Sequence, residues 1–325
     1  MKVLVVGGAG YIGSHMALML GQQGAQAIVL DDLSSGHADA VLSARLVQGS
    51  IEDTGLLDRL FTDESFDGVM HFASLIQVGE SVQHPAKYYR NNVTHTINLL
   101  DAMIRHRVRN FIFSSTAAIF GQPEYVPIDE GHPKQPINPY GRSKWMVEQV
   151  LQDYDAAYGL KSVCLRYFNA AGADPEARIG ETHEPETHLI PLLLQVASGR
   201  RESAQVFGDD YDTPDGTCIR DYIHVLDLAA VHSLALAHLT NGGASAAYNL
   251  GNGNGFSVRQ VIDAVCQVTK KPVPVIDAAR RAGDPARLVA DATLARKHLG
   301  WTPQYPELST IVSHAWNWER KIAGI

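Results

Sequence analysis

The stretch "VLVVGGAGYIGSH" near the start of the 325-residue chain constrains its fold more than any other. Four apolar residues of strand type run into Gly7, Gly8, Gly10 and Gly13, and a helical pattern follows at once. This spacing satisfies both G-x-G-x-x-G and G-x-x-G-x-x-G. Without side chains, these residues permit a tight turn, close approach of backbone to a diphosphate, and packing of helix on strand. The helix N-terminus behind them offers unpaired N–H groups and a positive dipole end.

The next predicted strand, "AIVL", leads into Asp31, eighteen residues after Gly13. A carboxylate there accepts hydrogen bonds from adenosine ribose hydroxyls and repels a 2′-phosphate, so the pattern predicts NAD rather than NADP. Asp32 adds to that negative charge. Short β-branched runs then alternate with helix-length segments. "KVLVV", "AIVL", "RLVQG", "GVMHFA", "FIFSS" and "SVCLRY" read as buried parallel strands, with helices at about 11–23, 52–62, 84–106 and 138–158. Right-handed crossovers make this an α/β doubly wound parallel sheet, the Rossmann arrangement, with ligands at the carboxyl ends of the strands.

After residue 168 the alternation fails through "NAAGADPEARIGETHEPETH", and helices recur near 188–199, 225–239, 257–268 and 307–321. A second, smaller mixed α/β domain is expected: 1–168 to bind the dinucleotide, 169–325 to bind substrate. Strands near 221–223 and 246–250 are expected to rejoin the first sheet, so that 222–250 returns to the first domain.

A net charge of -8 and the absence of long like-charge runs argue against nucleic-acid and anionic-membrane partners. "VLVV" is too short for a signal-peptide core or a membrane span. Cys164, Cys218 and Cys266 form no C-x-x-C pair, so neither a disulfide framework nor a zinc site is expected, and a reducing cytoplasm fits. No H-x-x-x-H or H-E-x-x-H grouping occurs, and no metal is expected. His71 and Cys164 read as buried strand residues.

Chemistry points to "SSTAAIFG" at Ser114–Gly121 and "YGRSK" at Tyr140–Lys144. Tyr140 and Lys144, four apart on a helix, share one face. The hydroxyls of Ser114, Ser115 and Thr116 end the fifth predicted strand, where a nicotinamide would lie. A lysine ammonium and a cationic nicotinamide both favour phenolate, making Tyr140 a candidate general base, with Thr116 bridging to the substrate oxygen and Lys144 also reaching the nicotinamide ribose.

These features resemble the extended short-chain dehydrogenase/reductase family, and within it the enzymes that epimerise carbon 4 of nucleotide sugars. The resemblance runs through "GGAGYIGSH", "HFASLIQVGESV", "YYRNNV", "FIFSSTAAIFG", "NPYGRSK", "RYFNAAGA", "THLIP", "DGTCIRDYIHV", "YNLGNGNGFSV" and "RRAGDP". It implies NAD held by Gly7, Gly10, Tyr11, Ile12, Gly13, Asp31, Asp32, Ser35, Gly36, Ser50, Ile51, Phe72, Ala73, Asn91, Ser114, Tyr140, Lys144 and Tyr167. It implies a UDP-sugar held by Thr116, Tyr140, Phe168, Asn169, His188, Leu189, Phe207, Arg220, Arg281 and Asp284, although His188 also reads as a packing residue. Arg220 and Arg281 take the role of diphosphate clamps, guanidinium forks being suited to phosphate oxygens. A homodimer through the helices around 84–106 and 138–158 is implied as well.

Relatives that dehydrate nucleotide sugars resemble this chain but carry an acidic pair after the strand-end threonine. Ala117 and Ala118 stand there and cannot move a proton. Elimination is therefore not expected, which leaves hydride transfer and its reversal; the resemblance implies interconversion of UDP-glucose and UDP-galactose through a transient 4-keto sugar. The open alternatives are an epimerase for another UDP-sugar, a nucleotide-sugar dehydrogenase or reductase, and an NAD-sensing protein. Three positions depart from the family: threonine at 116 where serine is frequent, Ile76 where lysine often meets cofactor phosphate, and Ser50 for an aspartate near adenine. Leu288, by family position, lines the sugar end, and its bulk is expected to disfavour an N-acetyl group.

Overall fold

The computed structural model describes residues 1–281 and 283–325. The first half runs β1 (Lys2–Val6), α1 (Tyr11–Gln22), β2 (Gln26–Asp31), β3 (Arg45–Gln48), α2 (Thr54–Asp63), β4 (Gly68–His71), α3 (Val78–Gln83), α4 (Pro85–Tyr89), α5 (Thr96–Arg105), β5 (Asn110–Thr116), α6 (Pro139–Tyr158) and β6 (Lys161–Tyr167). Then follow β7 (Asn169–Ala171), α7 (Leu189–Ala197), β8 (Ala204–Phe207), β9 (Ile219–His224), α8 (Val225–Thr240) and β10 (Ala246–Leu250). The chain ends through β11 (Gly255–Ser257), α9 (Val258–Thr269), β12 (Val275–Ala278), β13 (Arg287–Leu288), α10 (Thr293–Leu299) and α11 (Leu308–Ala323).

Seven strands pair in parallel in the order β10-β6-β5-β4-β1-β2-β3. Alternate residues point to opposite faces. Val3, Val5, Ala27 and Val29 meet Met16 and Leu20 of α1 and Leu228 and Leu236 of α8. Leu4, Val6, Ile28 and Leu30 meet Leu57 of α2, Leu99 of α5 and Val147 of α6. With both faces covered, each large apolar side chain contributes roughly 1.5–3 kcal/mol relative to exposure. The winding reverses at β1, which lies between β2 and β4, and the crevice at that switch point is where a ligand belongs.

Two sequence expectations change. The helix expected over 84–106 is divided into α4, a wider π-helical segment at Arg90–His95, and α5. Asn92 in that segment is buried; its Oδ1 accepts from Leu75 N at 2.9 Å, and its Nδ2 donates to Leu75 O and Ser143 Oγ, each at 3.0 Å. The wider segment therefore ties the loop after β4 to α6. The strand expected at 221–223 exists as β9, but it does not join the large sheet. It pairs with β7, β11 and β13 in a smaller mixed sheet, because β10 occupies the place beside β6. Asp221, fully buried in β9, accepts from the backbone N–H groups of Asn252, Gly253 and Ala290, polar pairing that suits the small sheet. A separate core packs α7, α9 and α11 on that side. Among the described residues, no helix is long and apolar enough to cross a membrane.

Candidate active site

The β1–α1 turn has no room for side chains. At Gly7 (φ 78°) a Cβ would lie 2.4 Å from Ala73 N, and at Gly13 it would lie 2.2 Å from Gly7 O. At Gly10 the nearest atom is 3.5 Å away, so its bare backbone leaves the crevice side clear. No side chain caps α1, and Gly10, Tyr11, Ile12 and Gly13 line a cleft of about 1040 Å³. A Cβ-free turn ending in an uncapped helix is a fit for a dinucleotide diphosphate.

At the end of β2 the two acids divide their work. Asp31 is buried and accepts from Ala9 N and Leu33 N, both at 2.9 Å, so it braces the glycine turn. Asp32, exposed, lines the cleft with Ser35, and its carboxylate accepts from Ser34 N. Gly36 packs against Ala9 and Asp31 behind that wall. Ser50 makes a turn by accepting from Glu52 N at 3.1 Å, and Ile51 is buried. Phe72, Asn91 and Tyr167 line the cleft, as does Ile76, whose apolar side chain brings no charge there.

The reacting group is assembled by a close helix approach. Asn138 caps α6 by accepting from Gly141 N at 2.8 Å, and a Cβ on Gly141 would stand 2.5 Å from Ala118 O. Only glycine lets α6 sit this near the turn after β5, which brings Tyr140 beside Thr116. Thr116 Oγ1 accepts from Ala118 N at 3.1 Å, which leaves its own proton free to be donated. Lys144 Nζ donates to Ser74 Oγ and to the Ser114 carbonyl, both at 2.7 Å, and lies 4.8 Å from the Phe113 ring centre. Ala117 and Ala118 line the same wall.

Burial dominates the electrostatics. It pushes the Tyr140 phenol up, opposed by the Thr116 hydroxyl, and it lowers Lys144 to about 7, opposed by Glu148. The expectation that a Lys144 ammonium holds the phenol anionic is thus not met by the side chains themselves. His71 is lowered to about 3, by burial and then by Lys144; it is a neutral strand residue bonded to Thr96 Oγ1 at 2.9 Å.

On the other wall stand Phe168, Asn169, His188, Arg220 and Leu288. Asn169 Nδ2 donates to Asp221 O at 2.9 Å. Arg220 pairs with Asp284, and Arg281 stacks over the Phe207 ring at 3.9 Å, so these four converge near the ends of β8 and β9. Of them, Arg220 reaches the cleft wall, whereas Phe207, Arg281 and Asp284 lie beyond it, as does Leu189 at the start of α7.

The sequence reading passed over a loop. In "ETHEPETH" the tripeptide Glu-Thr-His occurs twice, at 181–183 and 186–188, and the fold brings Glu181, His183, Glu186 and His188 together at the cleft rim. A search restricted to helical histidine spacings misses a group built on a loop. Burial opposes charge here, but hydrogen bonds donated to the carboxylates raise His183 to about 9 and His188 to about 10, and bonds from both histidines leave Glu186 at about 2. Ser74 was also missed; nothing in its local sequence marks it as a partner of Lys144.

A family model described as the NAD dependent epimerase/dehydratase family matches residues 3–251. A UDP-glucose 4-epimerase of Halalkalibacterium halodurans is 55% identical over 321 residues, which is 99% of this chain and 96% of its own length. The crystal structure of UDP-glucose 4-epimerase from Brucella ovis in complex with NAD superposes with a TM-score of 0.95 at 51% identity, covering 98% of each chain. That of the Bifidobacterium longum enzyme in complex with NAD+ and UDP gives 0.94 at 38% identity over 100% of each. With the glycine cradle, the Tyr140–Lys144 helix and the seven-stranded sheet all in place, this chain belongs to the NAD dependent epimerase/dehydratase family.

Proposed function

We propose that the chain is an isomerase interconverting UDP-glucose and UDP-galactose by transient NAD-dependent oxidation at carbon 4 of the hexose. The observation that carries this reading is the meeting of Tyr140, Thr116 and Lys144 beside a dinucleotide cradle, on a wall where Ala117 and Ala118 offer no second acid or base. When bound, NAD would supply a hydride acceptor and donor for C4 and, through its cationic ring, positive charge that favours the Tyr140 phenolate.

The chain's own groups do the rest. Gly7, Gly10, Tyr11, Ile12 and Gly13 would hold the diphosphate; Asp32 and Ser35, on a wall braced by Asp31 and Gly36, would hold the adenosine ribose; Ser50, Ile51, Phe72, Ala73, Asn91, Ser114 and Tyr167 would complete the dinucleotide's surroundings. Tyr140 takes the 4-hydroxyl proton as the C4–H bond breaks, with the free proton of Thr116 available to the phenolic or substrate oxygen. Lys144, fixed by Ser74 and the Ser114 carbonyl, orients the ribose and Tyr140. On return, Tyr140 gives its proton to the ketone oxygen. Atoms and electrons balance with no net redox change.

Turning the keto sugar over requires affinity to reside in the nucleotide. Asn169, Leu189, Phe207, Arg220, Arg281 and Asp284, with Phe168, supply it. This divides the work between a dinucleotide half, 1–168 with 225–250, and a nucleotide-sugar half in the rest of 169–325. The three free thiols fit a cytoplasmic protein. Exposed Met146 and Tyr158 on α6 fit a homodimer across that helix.

The test is a panel of UDP-sugars given to purified protein without added NAD, with chromatography of the products. UDP-galactose appears from UDP-glucose, and UDP-N-acetylglucosamine turns over at least tenfold more slowly because Leu288 lines the sugar end. Comparable turnover of both sugars refutes the Leu288 argument. A steady nicotinamide absorbance change with free NAD favours a dehydrogenase over an epimerase.

A further inference from the structure

Outside the reacting group, the densest convergence of ligand-type side chains is the loop leading into α7. Glu181 Oε1 lies 2.9 Å from His188 Nδ1 and 3.1 Å from His183 Nδ1. Glu186 Oε1 lies 2.9 Å from His188 Nδ1, and Glu186 Oε2 lies 3.8 Å from His183 Nδ1. One donor atom from each residue falls within 4.8 Å of all the others. A tetrahedral ion with bonds of about 2.0–2.2 Å needs donors about 3.3–3.6 Å apart, so these separations bracket the requirement. Both carboxylates are 6% exposed.

We propose that Glu181, His183, Glu186 and His188 bind one divalent transition-metal ion of the zinc class, fastening the loop to the rim of the ligand cleft. All four donors face one point, because each imidazole turns its Nδ1 towards both carboxylates. Once an arriving ion displaces the protons that the carboxylates hold on both imidazoles, two carboxylates with two neutral imidazoles neutralise a divalent charge and form the N₂O₂ set that zinc accepts in four-coordination; calcium and magnesium prefer all-oxygen shells.

The loop that carries the ligands is tied to its surroundings. Glu186 Oε1 accepts from the backbone N–H groups of Thr187 and His188 at 2.7 and 2.8 Å, which fixes its carboxylate. Trp318 Nε1 of α11 donates to the Glu181 carbonyl at 3.0 Å, and His37 Nε2 stands 3.3 Å from the Thr182 carbonyl. These contacts hold the Glu186 carboxylate and the backbone of the loop that carries the other ligands. The Tyr11 ring, at the start of α1, meets the His183 ring edge-on at 6.3 Å. An ion held here therefore clasps the loop against the helix that opens the glycine cradle.

The test uses holoprotein treated with chelator and then titrated with Co²⁺. One equivalent per chain is expected, with the visible bands of tetrahedral cobalt, and His183→Gln/His188→Gln is expected to lose both. X-ray absorption at the zinc edge of the zinc-loaded parent is expected to give a shell of nitrogen and oxygen at about 2.0–2.1 Å that includes two imidazoles; this readout does not depend on the variant folding. The proposal is overturned by the absence of saturable binding in the parent, by equal binding in the double variant, or by a shell without imidazole.

Discussion

Burial favours the neutral form of both Tyr140 and Lys144, one an acid and the other a base, so the pair rests as phenol and near-neutral amine until positive charge arrives beside it. Removing the phenolic oxygen leaves the cradle untouched and takes away the proton acceptor. Tyr140→Phe is expected to lower kcat by about 10²–10⁴-fold with bound NAD retained, measured by product chromatography and nucleotide content; a loss below tenfold contradicts the assignment. Lys144 makes a second prediction. Its folded value of about 7 lies below the ordinary 10.5, so between those limits the unfolded chain binds more protons than the folded one. The stabilisation is full above about pH 10.5 and is lost as pH falls towards 7, with a slope of at most about 1.4 kcal/mol per pH unit. Urea titrations of dinucleotide-free protein across that window should show the slope, and Lys144→Met should remove it. Unchanged pH dependence in the variant counts against a buried, neutralised lysine.

At the scale of elements, α6 carries the chemistry and is anchored by one buried ion pair. Arg166 of β6 reaches Glu148 through Nη2 at 2.6 Å and Nε at 3.0 Å, and Ser115 Oγ donates to the same carboxylate. Removing one partner strands a buried charge, so Arg166→Met is expected to cost about 3–5 kcal/mol in urea unfolding. A cost below about 1 kcal/mol would show that the pair does not hold α6. The bounds of α6 were legible in the sequence because local chemistry writes them: the Asn138 cap, Pro139 in the first turn, and Gly159 at φ 66°. The sheet that β9 joins was not legible, since a short run such as "IRDYIH" looks alike wherever it pairs. Strands of two to four residues, such as β11 and β13, are too short for their periodicity to show.

For the whole molecule, the chain leaves the large sheet after β6, returns through α8 and β10, and leaves again, which places the cleft between two packed cores. The dinucleotide side was legible because its motif lies within one strand–turn–helix unit. The nucleotide-sugar side draws on β9, β13, α7 and the loops around them, residues far apart in sequence, and it came from resemblance instead of periodicity. The Glu-His loop escaped both. The central claim is that hydride leaves C4 and comes back to C4 without mixing with water. It is tested most directly by giving the purified chain UDP-galactose deuterated at C4, with no NAD added, and locating the label in the UDP-glucose formed. Deuterium retained at C4 is the predicted result; deuterium lost to solvent, or no conversion at all, contradicts the account.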